Sequence, residues 1–220
     1  PRSSTGDVGI KLRERGYTLD VRRPVIGEKL PENMDEHDLA VIYGGPPSAN
    51  DDLDYIKYEI DWISKVLESN KPFLGICLGA QMLAKNLGGT VQKSHDLTLE
   101  IGFFDINPTG DGHKMFQSQK KFFQWHREGF TVPQSCEILA KGDLFREQAF
   151  RYKNALAIQF HPEVNLKMHL RWLYYAGYML KEKGAQNRRE QLTHRLKHGK
   201  KINLWLDSFL DNYLLKDINS

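Results

Sequence analysis

The run Lys71-Pro72-Phe73-Leu74-Gly75-Ile76-Cys77-Leu78-Gly79-Ala80-Gln81 joins a short apolar stretch directly to a helix-forming one. A cysteine stands between two glycines at the junction. This is the local pattern of a nucleophile elbow, with sulfur in place of a serine oxygen. Such an elbow is a tight strand-to-helix turn that strains its central residue and pushes the side chain into a cleft. Gly75 and Gly79 keep side-chain bulk away from the turn. The start of the following helix offers free N–H groups and a positive dipole end, which favour negative charge on a nearby sulfur or developing oxyanion. A cysteine in an apolar strand is ordinarily core packing. The paired glycines, and residues far downstream, argue for a reactive one.

A chain of 220 residues suits one domain with a real core. Its net charge of +3 is too small to argue for a nucleic-acid partner. The two cysteines, Cys77 and Cys136, are too few for a disulfide framework and point to free thiols in a reducing compartment. No signal peptide and no apolar run near roughly 18 residues is visible. The expectation is a cytoplasmic protein without a membrane partner.

Pro1 to Asp7 reads as a loop, Val8 to Arg15 as a helix stopped by Gly16, and Tyr17 to Val21 as a short strand. A parallel sheet is built from βαβ units, so a strand is expected before the first helix, and a segment preceding Pro1 is expected to carry it. Leu39-Ala40-Val41-Ile42-Tyr43 is a strand apolar on both faces. Gly44-Gly45-Pro46-Pro47-Ser48 follows it, and a Gly-Gly pair there lets backbone N–H groups approach a ligand. Asp51, Asp52 and Asp54 supply cap and first-turn acids for a helix to about Glu68, whose Ile56, Ile60, Ile63 and Leu67 share one face. The helix after Cys77 ends at Gly88-Gly89.

From Thr90 the texture becomes β-rich. Strands are expected at Thr90–Lys93, Leu99–Ile106, Phe122–Trp125, Glu137–Ala140 and Ala149–Tyr152, with a turn cluster at Asn107–Gly112. Ala155-Leu156-Ala157-Ile158-Gln159-Phe160 is a second strongly apolar strand, and a helix is expected from about Val164 to Lys181. The tail is basic and helical. Ile202, Leu206, Phe209, Leu210, Tyr213 and Leu214 form an apolar face expected to pack back on the domain.

A thiol nucleophile needs a base, and the base an orienting acceptor. His161 and Glu163 follow a buried strand and lie two residues apart, so they leave it on the same side. In parallel α/β sheets the C-terminal strand ends share one edge, where ligands bind. Cys77, His161 and Glu163 are therefore expected to meet.

Gly75-Ile76-Cys77-Leu78-Gly79-Ala80-Gln81, Gln159-Phe160-His161-Pro162-Glu163-Val164 and Gly44-Gly45-Pro46 together resemble the triad-type class I glutamine amidotransferases. The nearest likeness is to the glutaminase domain of GMP synthase and its stand-alone homologues. The resemblance covers roughly residues 8 to 180 and implies an α/β, flavodoxin-like three-layer fold with a mostly parallel central sheet. A small antiparallel β region and a C-terminal helical extension complete it. Residues 1–180 are read as the amidotransferase domain and residues 181–220 as a helical extension of it. The resemblance implies that Cys77 attacks the side-chain amide of glutamine, His161 moves the proton and Glu163 orients the imidazole. It implies an oxyanion hole from the backbone of Gly45 and Leu78, with Gly44 and Gln81 at the substrate. Gln124-Trp125-His126-Arg127-Glu128 falls where the family carries a Ser-His-Gly-Asp-type substrate loop, so His126 and Glu128 are read as substrate-binding. Arg127 stands there in place of a small residue. No metal or cofactor is implied.

The 57 residues after Glu163 are too few for an ATP-dependent synthetase domain and hold no Gly-rich phosphate loop. The expected partner is a separate ammonia-accepting synthetase subunit. The alternatives are a γ-glutamyl hydrolase or peptidase using the same triad, and a catalytically idle binding module.

Overall fold

Two strands that are apolar on both faces demand a sheet covered on both sides. A computed structural model describes residues 4–216 and 218 of the chain. In chain order it forms α1 (Gly6–Glu14), β1 (Ala40–Ile42), α2 (Asp54–Glu68), β2 (Phe73–Ile76), α3 (Leu78–Asn86), β3 (Thr90–Lys93), β4 (Glu100–Asp105) and β5 (Asn107–Pro108). There follow α4 (Gly112–Met115), β6 (Lys121–His126), β7 (Glu128–Thr131), β8 (Glu137–Lys141), β9 (Glu147–Tyr152), β10 (Ala155–Ile158), α5 (Leu166–Tyr175) and α6 (Arg188–Phe209).

The central sheet runs β1-β2-β10-β9-β8-β5. The β1–β2 and β2–β10 pairs are parallel, while β9, β8 and β5 extend the sheet antiparallel, so the sheet is mixed. Successive residues of β10 face opposite layers. Leu156 and Ile158 join a cluster with Val8, Leu12, Phe122 and Trp205, whereas Ala155 and Ala157 join one with Ile56, Ile63, Leu83 and Phe150. Helices thus cover both faces, giving the expected three layers. Two small antiparallel ladders, β3–β7 and β4–β6, stand beside the sheet.

The parallel register places function. Phe73 of β2 sits opposite Ala40 on one side and Ala155 on the other. The three strands therefore end together, and Gly44, Cys77 and His161 emerge at one edge.

Several local expectations change. Tyr17 to Val21 carries no strand pairing, and β1 is an edge strand among the described residues. The loop expected over Pro1–Asp7 lies partly outside the described residues, and helix begins at Gly6. Asp51 is not a helix cap: its carboxylate accepts the Ser48 N–H at 2.9 Å in the preceding turn. Asp52 pairs instead with Lys57, which leaves Asp54 as the acid of the first turn. The helix expected over 164–181 breaks into α5 and a 3₁₀ segment, Gly177–Lys181. Asn165 opens α5 by accepting the Met168 N–H at 3.1 Å. Strand β7 gave no signal, because it holds four residues including Gly129. That glycine is required: a Cβ there would lie 2.4 Å from the Phe145 ring.

The tail packs into the core. α6 starts with a reciprocal cap, in which Asn187 Oδ1 accepts the Glu190 N–H at 3.0 Å and Glu190 Oε2 accepts the Asn187 N–H at 2.8 Å. Its apolar face buries Ile202, Leu206 and Phe209, and also Trp205. The Trp205 ring stacks on Phe116 at 5.6 Å and on Phe209 at 4.9 Å, and its Nε1–H donates to the Met115 carbonyl at 2.8 Å. Lys11 of α1 and Arg15, just past its end, pair with Asp207, at 2.6 and 3.0 Å, and tie α6 to the N-terminal helix. Trp205→Ala is therefore expected to destabilise the whole chain by about 3–5 kcal/mol. A single shifted denaturation transition checks this; loss of α6 alone, with the rest unaltered, would show the tail to be an appendage.

Candidate active site

Cys77 follows β2 with φ 52° and ψ −105°, in the left-handed region that a residue with a Cβ rarely adopts. Strain of this kind costs on the order of 1–3 kcal/mol and persists only where the surroundings enforce it. Two hydrogen bonds and two close main-chain approaches enforce it here. The Cys77 N–H donates to the Ile158 carbonyl at 2.8 Å, and the Gln81 N–H donates back to the Cys77 carbonyl at 3.0 Å. A Cβ on Gly75 would lie 2.6 Å from the Gly79 carbonyl oxygen, and one on Gly79 would lie 2.1 Å from that of Ile42. Neither position admits a side chain, so the turn is closed by main chain on both sides. Helix α3 begins at the next residue, so Cys77 stands at the helix end where first-turn N–H groups lack intrahelical partners.

His161 and Glu163 arrive from β10. The His161 N–H donates to the Phe123 carbonyl at 2.8 Å, and the Glu163 carbonyl accepts the Asp7 N–H at 2.8 Å. Both side chains are buried, and His161 Nδ1 lies 2.7 Å from Glu163 Oε1. A carboxylate only accepts, so Nδ1 carries the proton of this bond. Nε2 has no partner at hydrogen-bond geometry among the described residues. Burial by itself lowers the imidazole pKa. The negative charges of Glu163 and of the Cys77 sulfur outweigh it and raise the pKa to about 10. Gly44 lies between the cysteine and the imidazole: a Cβ there would stand 2.8 Å from His161 Cε1 and 3.2 Å from Cys77 Cβ. Gly45 packs against Leu78, at 3.4 Å for the corresponding position. The structure thus gathers Gly44, Gly45, Cys77, Leu78, His161 and Glu163 at one edge.

The remaining residues singled out in the sequence form a hydrogen-bonded cluster one helical turn from Cys77. Gln81 Nε2 donates to the Glu128 carbonyl at 2.9 Å and to Gln159 Oε1 at 3.2 Å. The same Glu128 carbonyl lies 2.9 Å from His126 Nδ1. His126 Nε2 lies 3.1 Å from Gln124 Oε1 and 3.0 Å from Glu100 Oε2. His126 is buried with both ring nitrogens occupied, so its side chain braces the loop from behind and has no nitrogen left for a ligand. Gln81 likewise spends its amide N–H groups inside the protein. Glu128 is half-buried, and its carbonyl is the hub of this cluster.

Sequence reasoning missed the residues behind this cluster: Glu100, Gln124, Gln148 and Gln159, all buried. Gln148 joins Gln124 at 2.7 Å to Glu100 at 2.9 Å. Their signal was available, since a polar residue inside an apolar strand must find a polar partner. Trp172 was missed as well. Its ring meets the His161 ring edge-on at 5.0 Å, and Trp125 lies 5.7 Å beyond it. Among the described residues no cluster of His, Cys, Asp or Glu is placed to hold a metal ion, and no helix is long and apolar enough to cross a membrane.

A strained thiol, an imidazole and a carboxylate, in that order, supply the parts of nucleophilic acyl transfer. Comparison with known proteins gives the family. The family model described as glutamine amidotransferase class-I matches residues 7–176. The glutamine-hydrolyzing GMP synthase subunit of Sulfurisphaera tokodaii is 33% identical over 142 residues, 62% of this chain and 73% of that one. Gamma-glutamyl peptidase 4 of Arabidopsis thaliana is 31% identical over 164 residues, 70% of this chain and 65% of that one. The crystal structure of a glutamine amidotransferase from Thermotoga maritima is 30% identical and superposes with a TM-score of 0.85, covering 96% of this chain and 92% of that one. With the elbow, the strand order and the matched span in agreement, the chain belongs to the class-I glutamine amidotransferase family.

Proposed function

We propose that the protein hydrolyses the side-chain amide of glutamine through a cysteinyl γ-glutamyl thioester, giving glutamate and ammonia. The observation that carries this reading is the 2.7 Å His161–Glu163 bond beside a cysteine held at φ 52°. In the proposed mechanism the Cys77 sulfur attacks the amide carbon. His161, aimed by Glu163 and already holding the proton given up by the thiol, delivers it to the departing nitrogen. The N–H groups of Leu78 and Gly45 hold the oxyanion. Water, deprotonated by the now neutral His161, then cleaves the thioester, and the sulfur leaves as a thiolate beside the restored imidazolium. Gly44 keeps the cleft narrow, while Gln81, His126 and Glu128 shape the loop that receives the amino-acid end of the substrate. No cofactor enters these steps. Two free cysteines support a reducing, cytoplasmic setting. The likeness to the GMP synthase relative supports a separate synthetase as the acceptor of the ammonia.

A second reading is favoured by Trp125 and Trp172, half-buried beside the imidazole that protonates the leaving nitrogen. Such a wall suits a leaving amine larger than ammonia, and gamma-glutamyl peptidase 4 is among the relatives. Ammonia release from glutamine, compared with amine release from γ-glutamyl peptides, separates the two readings. Cys77→Ala is the control. It is expected to lower either turnover by more than about a thousand-fold while the protein stays folded by circular dichroism. Activity retained in that variant refutes the nucleophile assignment.

The raised His161 pKa adds a stability prediction. A group whose pKa rises on folding stabilises the fold fully below its unfolded value of 6.5, and this contribution fades as pH climbs through the folded value of about 10. Glu163 supplies part of the rise, so Glu163→Gln is expected to lose stability relative to the parent at pH 6. The gap is expected to narrow toward pH 10, which urea denaturation at both pH values reads.

A further inference from the structure

The Glu128 carbonyl faces two nitrogens, Gln81 Nε2 at 2.9 Å and His126 Nδ1 at 2.9 Å. A carbonyl oxygen has two lone pairs, so two such donors leave none for a ligand. Its part is to hold the β6–β7 junction against α3, one helical turn from Cys77. The His126 half of that hold exists only while Nδ1 carries a proton.

The proton count on His126 follows from a chain of contacts that starts at main chain. Gln148 Nε2 donates to the Phe145 carbonyl at 3.2 Å and to Glu100 Oε2 at 2.9 Å, which fixes the direction of its amide. Gln148 Oε1 therefore accepts, from Gln124 Nε2 at 2.7 Å. That bond turns Gln124 Oε1 to within 3.1 Å of His126 Nε2, where Glu100 Oε2 also lies, at 3.0 Å. Both groups at Nε2 are thus acceptors, and so is the carbonyl at Nδ1. A neutral ring would set one bare nitrogen lone pair against oxygen. A proton moved onto Glu100 is no remedy, because Gln124 Oε1 would still face the lone pair at Nε2. An imidazolium beside an ionised Glu100 satisfies every group. Glu100 is 3% exposed and His126 5%, a setting in which each charge needs the other.

We propose that Glu100 of β4 is a positioning residue of the candidate site: its buried carboxylate keeps His126 doubly protonated, and the second ring proton holds the Glu128 carbonyl in place. Nε2 faces two acceptors and Nδ1 one, so the Nδ1 proton is the one that depends on the Glu100 charge. Glu100 acts through His126 and the loop, not on the reacting atoms. Its effect on turnover rests on the proposed reading, in which this loop receives the amino-acid end of glutamine; the proton count does not.

Nuclear magnetic resonance on the full chain, with isotope-labelled histidine, tests this directly. At pH 7 His126 is expected to carry a proton on each ring nitrogen; a single ring proton overturns the inference. Glu100→Gln keeps the shape of the side chain and removes its charge. It is expected to leave His126 one ring proton, on Nε2, and to move the Glu128 carbonyl-carbon resonance. Its KM for glutamine is expected to rise about ten-fold with kcat within about two-fold, because a bond to the loop is lost while Cys77 and His161 are untouched. Adding His126→Asn to Glu100→Gln returns an uncharged N–H donor near the Nδ1 position and is expected to recover most of the KM, whereas adding His126→Leu is not. The inference is overturned if Glu100→Gln keeps both ring protons, if its KM stays within about two-fold of the parent's, or if kcat falls as far as KM rises. Equal KM values for the two double variants overturn it as well. If Glu100→Gln alone does not fold, the double variants decide, since neither leaves a buried charge unpaired. The resonances need no substrate. A chain that cleaves no γ-glutamyl amide would therefore refute the proposed function and still decide the role of Glu100.

Discussion

The hydrogen bond from the Cys77 N–H to the Ile158 carbonyl continues the parallel β2–β10 ladder one residue past the end of β2. It fixes the cysteine to the strand that delivers His161 three residues later. Without it the elbow is a strained turn at the end of one strand. With it, the strain is supported by the neighbouring strand, and sulfur and imidazole are held on adjacent strands of one rigid ladder. The His161 N–H bond to Phe123 extends the same logic outward to β6.

Around that ladder the site is assembled mostly from groups that cannot titrate or rotate. Gly44, Gly75 and Gly79 are places where main chain meets main chain, or the His161 and Cys77 side chains, too closely for a Cβ. The loop at Glu128 is braced by amides and by the buried Glu100–His126 pair. Under the proposed function such preorganisation would favour acyl transfer, because fixed donors need no rearrangement as charge develops.

Much of this arrangement was legible in the residues. The apolar runs at 39–43, 73–76 and 155–160 gave the three parallel strands, because a strand buried on both faces has no polar alternation to hide it. Gly-x-Cys-x-Gly and His-Pro-Glu carried the expectation of a site, and the structure brings them to one sheet edge. The illegible parts have physical causes. Tyr17 to Val21 has strand-like composition, but pairing depends on a neighbour that local composition does not reveal. β7 is short and contains a glycine demanded by Phe145, a residue distant in sequence. The role of Trp205 depends on a tertiary contact with Phe116, which periodicity along α6 alone cannot name. His126 read as a ligand-binding residue because its loop matched a family position, yet its nitrogens are consumed by acceptors inside the protein.

The approach of Gly44 to both Cys77 and His161 has a consequence for how the cleft behaves. The spacing between thiol and imidazole is gauged by bare backbone, not by a side chain with rotamers of its own. A side-chain spacer would flicker between staggered wells on the nanosecond scale and carry the gap with it. Gly44 follows the end of β1 by only two residues, and β1 is held there because the Ile42 carbonyl abuts Gly79. The spacer is thus tied to the sheet by a very short length of main chain.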